Sequence, residues 1–184
     1  MRIVGGTYRG KKIMAPDSLT TRPTADRARE SLFNILNSLW MKEGKNWTDI
    51  TFADVFSGTG AMGIEALSRG TQEVFCFENN TEALRCLRQN TQGLKQIHII
   101  AGDALNPPKH QAVSVVFMDA PYGKGLWQEA LVRFQKNGWI DENTLIIIET
   151  DKKLHETLPD GYALLQDRSA GRNAFLFAKQ KKEA

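Results

Sequence analysis

The hydrophobic pattern changes period along the chain. Residues 1–14 alternate loosely and carry Gly5, Gly6 and Gly10, which predicts a short β-hairpin or extended arm. Residues 16–23, bounded by two prolines, carry turn chemistry and read as a linker. Thr24 has the character of a helix N-cap. Ala28, Leu32, Ile35, Leu36 and Leu39 then recur at helical spacing, which predicts an amphipathic helix over 25–40. Residues 44–49 read as a loop. From there strands and helices alternate. Strands are expected over 52–56, 73–77, 96–100, 113–118 and 145–149. Helices are expected over 62–69, 81–92 and 126–137, closed by Gly70, Gly93 and Gly138. Residues 162–168 and 174–179 read as a closing pair of strands. The fold class is therefore α/β: a mostly parallel seven-stranded sheet with helices on both faces, preceded by a small hairpin and helix. One domain is expected over 1–184, with an arm and helix over 1–45 and the sheet core over 50–184.

Composition narrows the function classes. Hydrophobic content of 41% and charged content of 24% in 184 residues suit a globular domain with a real core. No apolar run approaches the roughly 18 residues of a membrane span. The opening MRIVGGTYRGKK has neither an apolar signal core nor a cleavage site, so a cytoplasmic protein is expected. Cys76 and Cys86 form no CxxC pair and read as free thiols; His98, His110 and His155 stand apart, so no metal is expected. The net charge is +3, but residues 1–30 set Arg2, Arg9, Lys11, Lys12, Arg22, Arg27 and Arg29 against Asp17, Asp26 and Glu30. Arg168, Arg172, Lys179, Lys181 and Lys182 make the other end basic as well. Two basic ends suit a polyanion, or simply a solvated surface.

In a parallel sheet, ligands bind beyond the carboxyl ends of the strands. Four such ends carry an acid here. The first runs Asp54-Val-Phe-Ser-Gly-Thr-Gly-Ala-Met-Gly63, a G-x-G-x-x-G between strand and helix. A plain tight turn would also use those glycines. Asp54, inside the strand, suits a cationic group on a ligand, such as an α-amino group. Glu78 ends the next strand, 20 residues after Gly58, where a carboxylate accepts from ribose hydroxyls. Asp103, in Gly-Asp-Ala104, suits an adenine amine or a local turn. Asp119 opens Asp119-Ala120-Pro121-Tyr122; the following helix starts too late for Asp119 to be its cap. Tyr122 reads as a platform for a flat ring, or as a core aromatic. Glu149, ending the fifth strand, either orients a base or caps the next segment.

Ribose, adenine, an amino group and an acceptor site together describe S-adenosylmethionine beside its substrate. DVFSGTGAMG, FEN, GDA and DAPY resemble, in order and spacing, the motifs of class I methyltransferases, whose fold is Rossmann-like. DAPY resembles the [DNS]-P-P-[YF] signature of enzymes that methylate exocyclic amines. MRIVGGTYRGKKI and RPTADRARESLFNIL resemble the bacterial 16S ribosomal RNA guanine-N2 methyltransferase family, the RsmD-like group, over nearly the whole chain. The resemblance implies S-adenosyl-L-methionine as cofactor and 16S rRNA or a small-subunit assembly particle as partner, with no membrane. A monomer is expected. It implies cofactor contacts at Arg22, Thr24, Asp54, Ser57, Gly58, Thr59, Gly60, Glu78, Asp103 and Ala104. Asp119, Ala120, Pro121 and Tyr122 would carry the chemistry, and the N-terminal arm and residues 22–30 would cover the pocket and meet RNA, or Arg27 and Arg29 simply line the exposed side of their helix. Ala120 departs from the family's proline: its carbonyl remains, a fixed φ is lost, and a slightly looser loop is expected. An adenine-N6 methyltransferase, or an assembly factor that keeps the fold without activity, are the competing readings.

Overall fold

A computed structural model describes residues 1–16, 23–154, 156–170 and 173–182. After the N-terminal arm comes α1 (Pro23–Glu43), then β1 (Thr51–Val55), α2 (Ala61–Ser68), β2 (Glu73–Glu78), α3 (Thr81–Asn90) and β3 (Ile97–Ala101). β4 (Val115–Met118), α4 (Leu126–Lys136), β5 (Leu145–Asp151), β6 (Tyr162–Ala170) and β7 (Asn173–Gln180) complete the chain. Every expected element is present, with ends that coincide or differ by at most three residues. The 44–49 loop contains a short 3-10 turn at Trp47–Asp49.

The sheet order is β3-β2-β1-β4-β5-β7-β6. β1 to β5 run parallel, and β7 enters antiparallel between β5 and β6. This is the Rossmann-like methyltransferase architecture. The chain leaves β1 on one side and returns to β4 on the other. That reversal opens a crevice over the carboxyl ends of β1 and β4.

Both faces of the sheet are covered, so its strands read as continuous apolar runs. On one face α4 buries Trp127, Ala130, Leu131 and Phe134 against Val55, Phe77 and Met118. On the other, Leu32, Phe33, Leu36 and Trp40 of α1, with Leu67 and Leu87, cover Phe52, Phe117 and Ile147. Each large side chain so buried contributes roughly 1.5–3 kcal/mol. Asp54 lies on this second face, between Phe52 and α2.

α1 begins at Pro23, one residue before the expected cap at Thr24, because proline's fixed φ suits the first helical position. Asp26 in the first turn and Lys42 in the last complement the helix dipole. Its buried stripe includes Phe33 and Trp40, while Ala28, Ile35 and Leu39 are only half-buried. Arg29 falls on that inward stripe and is 4% exposed, which corrects its expected place on a surface meeting RNA. It pairs with Asp26 at 2.9 Å and Glu65 at 3.6 Å, and donates to the carbonyl of Arg2. A buried guanidinium needs such partners, and both carboxylates supply them.

The arm closes as a hairpin through an antiparallel Arg2–Lys12 bridge. It docks on α2 and α3. Val4 N–H donates to Glu65 Oε2 at 2.8 Å, Tyr8 N–H to Ser68 Oγ at 2.8 Å, and Met14 N–H to Asn90 Oδ1 at 2.8 Å. Among the described residues no helix is long and apolar enough to cross a membrane. Cys76 and Cys86 are buried free thiols.

Candidate active site

The turn after β1 is built around Phe56, the one non-glycine residue with positive φ (65°) among those described. A bulky residue in the left-handed region is strained and needs its surroundings to hold it. Here Ser57 does so, donating to the Phe77 carbonyl through its N–H at 2.8 Å and its Oγ at 3.0 Å. The chain then passes Gly58, where a Cβ would meet nothing within 4 Å. That open side is where a ligand can approach backbone. Gly63, the last glycine of the run, serves the opposite purpose. A Cβ there would lie 2.8 Å from Cys76 Sγ and 2.9 Å from Val74 Cγ1, so only glycine lets α2 pack this close to the sheet.

Three of the acids are organised by backbone donors. Asp54, 1% exposed, accepts from Gly63 N–H at 2.9 Å. Glu78 Oε2 accepts from Gly58 N–H at 2.7 Å, and Oε1 from the N–H groups of Asn79 and Asn80 at 2.9 and 2.8 Å. Asp103 Oδ1 accepts from Leu105 N–H at 2.9 Å, so the local-turn reading of Asp103 holds for that oxygen. Oδ2 accepts a longer bond from Asn106 Nδ2, at 3.4 Å. Ala104 is buried beneath. Thr59, 5% exposed, offers its carbonyl to Asn90 Nδ2 at 2.9 Å, and Gly60 adopts φ 77° to start α2.

Asp119 follows β4 directly. It stands one step beyond the Met118–Ile148 rung, which places it opposite Glu149 of β5. Poor hydration among surrounding protein, then the negative charges of Glu149 and Asp54, push its carboxyl well above the usual range. Its side chain nevertheless has solvent access, which moderates the hydration part and leaves the neighbouring charges as the firmer cause. Glu149 is raised by burial and lowered by a hydrogen bond from Asn173 and by the charge of Arg29. Burial raises Asp54 to about 7; the Gly63 hydrogen bond lowers it and Glu78 raises it. Ala120 is 3% exposed and packs into the core, Pro121 is exposed, and Tyr122 is 37% exposed, which removes the core-aromatic reading. Three strand-end carboxylates that resist ionisation mark a place arranged for positive charge.

Residues 1–179 match the family described as conserved hypothetical protein 95. The chain belongs to this family. The Escherichia coli K12 protein named ribosomal RNA small subunit methyltransferase D is 33% identical over 180 residues, 95% of this chain and 87% of that protein. A Bacillus subtilis protein named putative rRNA methyltransferase YlbH is 27% identical over 170 residues, 87% of this chain and 89% of that one. The solved structure of a putative methyltransferase, yhhF, from Escherichia coli superposes with a TM-score of 0.83 at 30% identity, covering 98% of each chain. Like these family relatives, the chain is a class I methyltransferase, and its cofactor is S-adenosylmethionine.

The residues fit that cofactor. Among the described residues no cation pairs with buried Asp54, Glu78 is held rigid with lone pairs to spare, and Gly58 leaves its side open. Most of the expected site residues gather at one rim. Arg22 and the Thr24 side chain lie outside the described residues, as do His155 and Arg172. Phe56, Asn90 and Asn173 were not foreseen. Glu149 carries the same signal as Asp119, an acid closing an apolar strand. Among the described residues no group of three His, Cys, Asp or Glu side chains is arranged to hold a metal.

Proposed function

We propose that the chain methylates the exocyclic N2 of a guanine in 16S ribosomal RNA of the small subunit. The observation that carries this reading is Asp119, set at the switch point beside Asp54 and Glu149 and opening Asp-Ala-Pro-Tyr. Relatives named ribosomal RNA small subunit methyltransferase D support the substrate class. The resemblance to amine-methylating signatures supports the nitrogen. The chain acts as a monomer on this reading.

S-adenosylmethionine supplies a methyl group made electrophilic by its sulfonium. The protein's part is positioning and electrostatics. Asp54 would hold the α-amino group of the cofactor, Glu78 the ribose hydroxyls, and Asp103 Oδ2 the adenine amine. Asp119 and the Ala120 carbonyl accept the two N–H bonds of the guanine amine. That arrangement lets nitrogen turn tetrahedral as it gains positive charge. As the new C–N bond would form, the methyl's bond to sulfur would break and S-adenosylhomocysteine would leave; the raised proton affinity of Asp119 fits it to receive the proton the amine gives up. The base must leave its stack to reach this rim, and the exposed ring of Tyr122 offers it a stacking surface.

Incubation with methyl-labelled cofactor and undermethylated small-subunit particles or free 16S RNA, followed by mapping of the labelled base, tests this. Label on guanine N2 is expected. Label on adenine N6 would replace the substrate assignment, and no transfer to either RNA form would leave the fold without this activity.

A further inference from the structure

A groove of about 560 Å³ runs between α1 and β6, outside the catalytic rim. Its α1 wall is one exposed stripe: Arg27, Ser31, Asn34, Ser38 and Lys42, spaced three or four residues apart. Its β6 wall carries Gln166 and Arg168, joined at 3.3 Å. Half-buried Ile35 and Leu39 lie along it. We propose that this groove holds the single-stranded RNA segment flanking the target guanine. The inference rests on the RNA-methylation reading and extends it from the reacting base to the strand that carries it.

Two relationships join the groove to the catalytic rim. Arg168 of β6 pairs with Phe175 of β7, which pairs with Glu149 of β5. Arg168 therefore stands two strands from Glu149 on one rung, roughly 9–10 Å away. Arg27 lies two residues before Arg29, whose charge acts on Glu149. Both cations thus sit at the end of the groove nearest the rim, and Lys42 marks the far end. The α1 stripe from Arg27 to Lys42 is about 22 Å long. A stacked strand advances roughly 3.4 Å per nucleotide, so the stripe matches about six nucleotides.

The chemistry suits a strand better than an acidic peptide. The three cations are spread along the groove and outnumber its single acid, Glu30. Between them Ser31 and Asn34 offer hydroxyl and amide groups, the types that meet phosphate and sugar oxygens, while the Ser38 hydroxyl donates to the Asn34 carbonyl at 2.9 Å and keeps lone pairs for a sugar hydroxyl. Ile35 and Leu39 give the bases an apolar wall.

The test combines Arg27→Ala, Lys42→Ala and Arg168→Ala. Binding of the rRNA fragment that the wild type methylates is measured from about 50 to 200 mM salt. The slope of log affinity against log salt should become shallower by roughly 2, at about 0.7 per lost contact on a single strand. Affinity at low salt should fall on the order of 10–100-fold, with melting temperature and cofactor affinity unchanged. Ser38→Cys carrying a photoactivated crosslinker, about 16 Å along α1 from Arg27, should mark nucleotides roughly five or more positions from the methylated base, and decides alone if the triple variant melts early. An unchanged slope, or a crosslink to a small-subunit protein in place of RNA, overturns the proposal. A wild type that labels no RNA base would instead remove the reading beneath it.

Discussion

Glu149 raises the proton affinity of Asp119 from the neighbouring strand, one step past the Met118–Ile148 rung. Asn173 and the charge of Arg29 lower the carboxyl of Glu149 in turn, so the two acids are biased apart. The Asn173 donor and the Arg29 charge favour the ionised form at Glu149, while burial raises both carboxyls, so the two titrate as a pair. Glu149 is then a positioning residue, acting through Asp119.

Asp119→Asn should therefore lower methyl transfer by roughly 10²–10³-fold while cofactor binding persists. Glu149→Gln should act differently. Removing its negative charge lowers the pKa of Asp119, and activity that needs ionised Asp119 rises with pH through that pKa. The acid limb of the pH–rate profile should move to lower pH. A limb that stays in place in Glu149→Gln would separate the two residues functionally.

Asp54 makes a second pH-dependent case. Its folded pKa, about 7, lies above the ordinary 3.8. Between those values the folded chain binds more protons than the unfolded one, so stability falls as pH rises from about 4 to about 7. The loss is complete above 7 and on the order of 4 kcal/mol. Asp119 and Glu149, also raised, act in the same direction. Asp54→Asn should flatten the slope of melting temperature against pH in the cofactor-free protein. Cofactor binding near pH 6 should release protons, because a cation beside Asp54 restores its charge. S-adenosylhomocysteine, which lacks the sulfonium charge, should release fewer. Calorimetry in buffers of different ionisation enthalpy reads both, and equal release for the two ligands would disconnect Asp119 from the sulfonium, while no release with either would disconnect Asp54 from the α-amino group.

The acids at the strand ends were legible because their signal is local: an apolar run, then a carboxylate, then turn residues. The β-α order was legible for the same reason, and the right-handed crossover between parallel strands leaves few ways to arrange such units. The position of Arg29 was not. An arginine on an amphipathic helix reads as exposed, and its burial depends on Glu65, far along the chain, and on the carbonyl of Arg2. Phe56 gave no warning of its positive φ, since the fold imposes that turn against the residue's own preference. Asn173 acquires its role only when β7 inserts antiparallel beside β5. What escaped the sequence is in each case a pairing between distant segments.

Asn90 is the fullest instance, and its side chain supports the last prediction. It is 3% exposed as the last residue of α3, two residues before the expected helix end. Its Nδ2 donates to the carbonyls of both Thr59 and Met14 at 2.9 Å, while Oδ1 accepts from Met14 N–H at 2.8 Å. One amide thus bolts the N-terminal arm to the glycine-rich turn. Asn90→Ala leaves the buried Thr59 carbonyl unpaired and frees Met14, at a cost of roughly 1–3 kcal/mol. In a chain of this size that lowers the melting temperature by about 2–4 °C per kcal/mol. Asn90→Asp should be worse than Asn90→Ala, since an anionic oxygen would face two carbonyls. Both should weaken cofactor binding, because the turn that presents Gly58 loses its brace. If Asn90→Asp melts no lower than Asn90→Ala, the donor role of Nδ2 is not what holds the arm and the turn together.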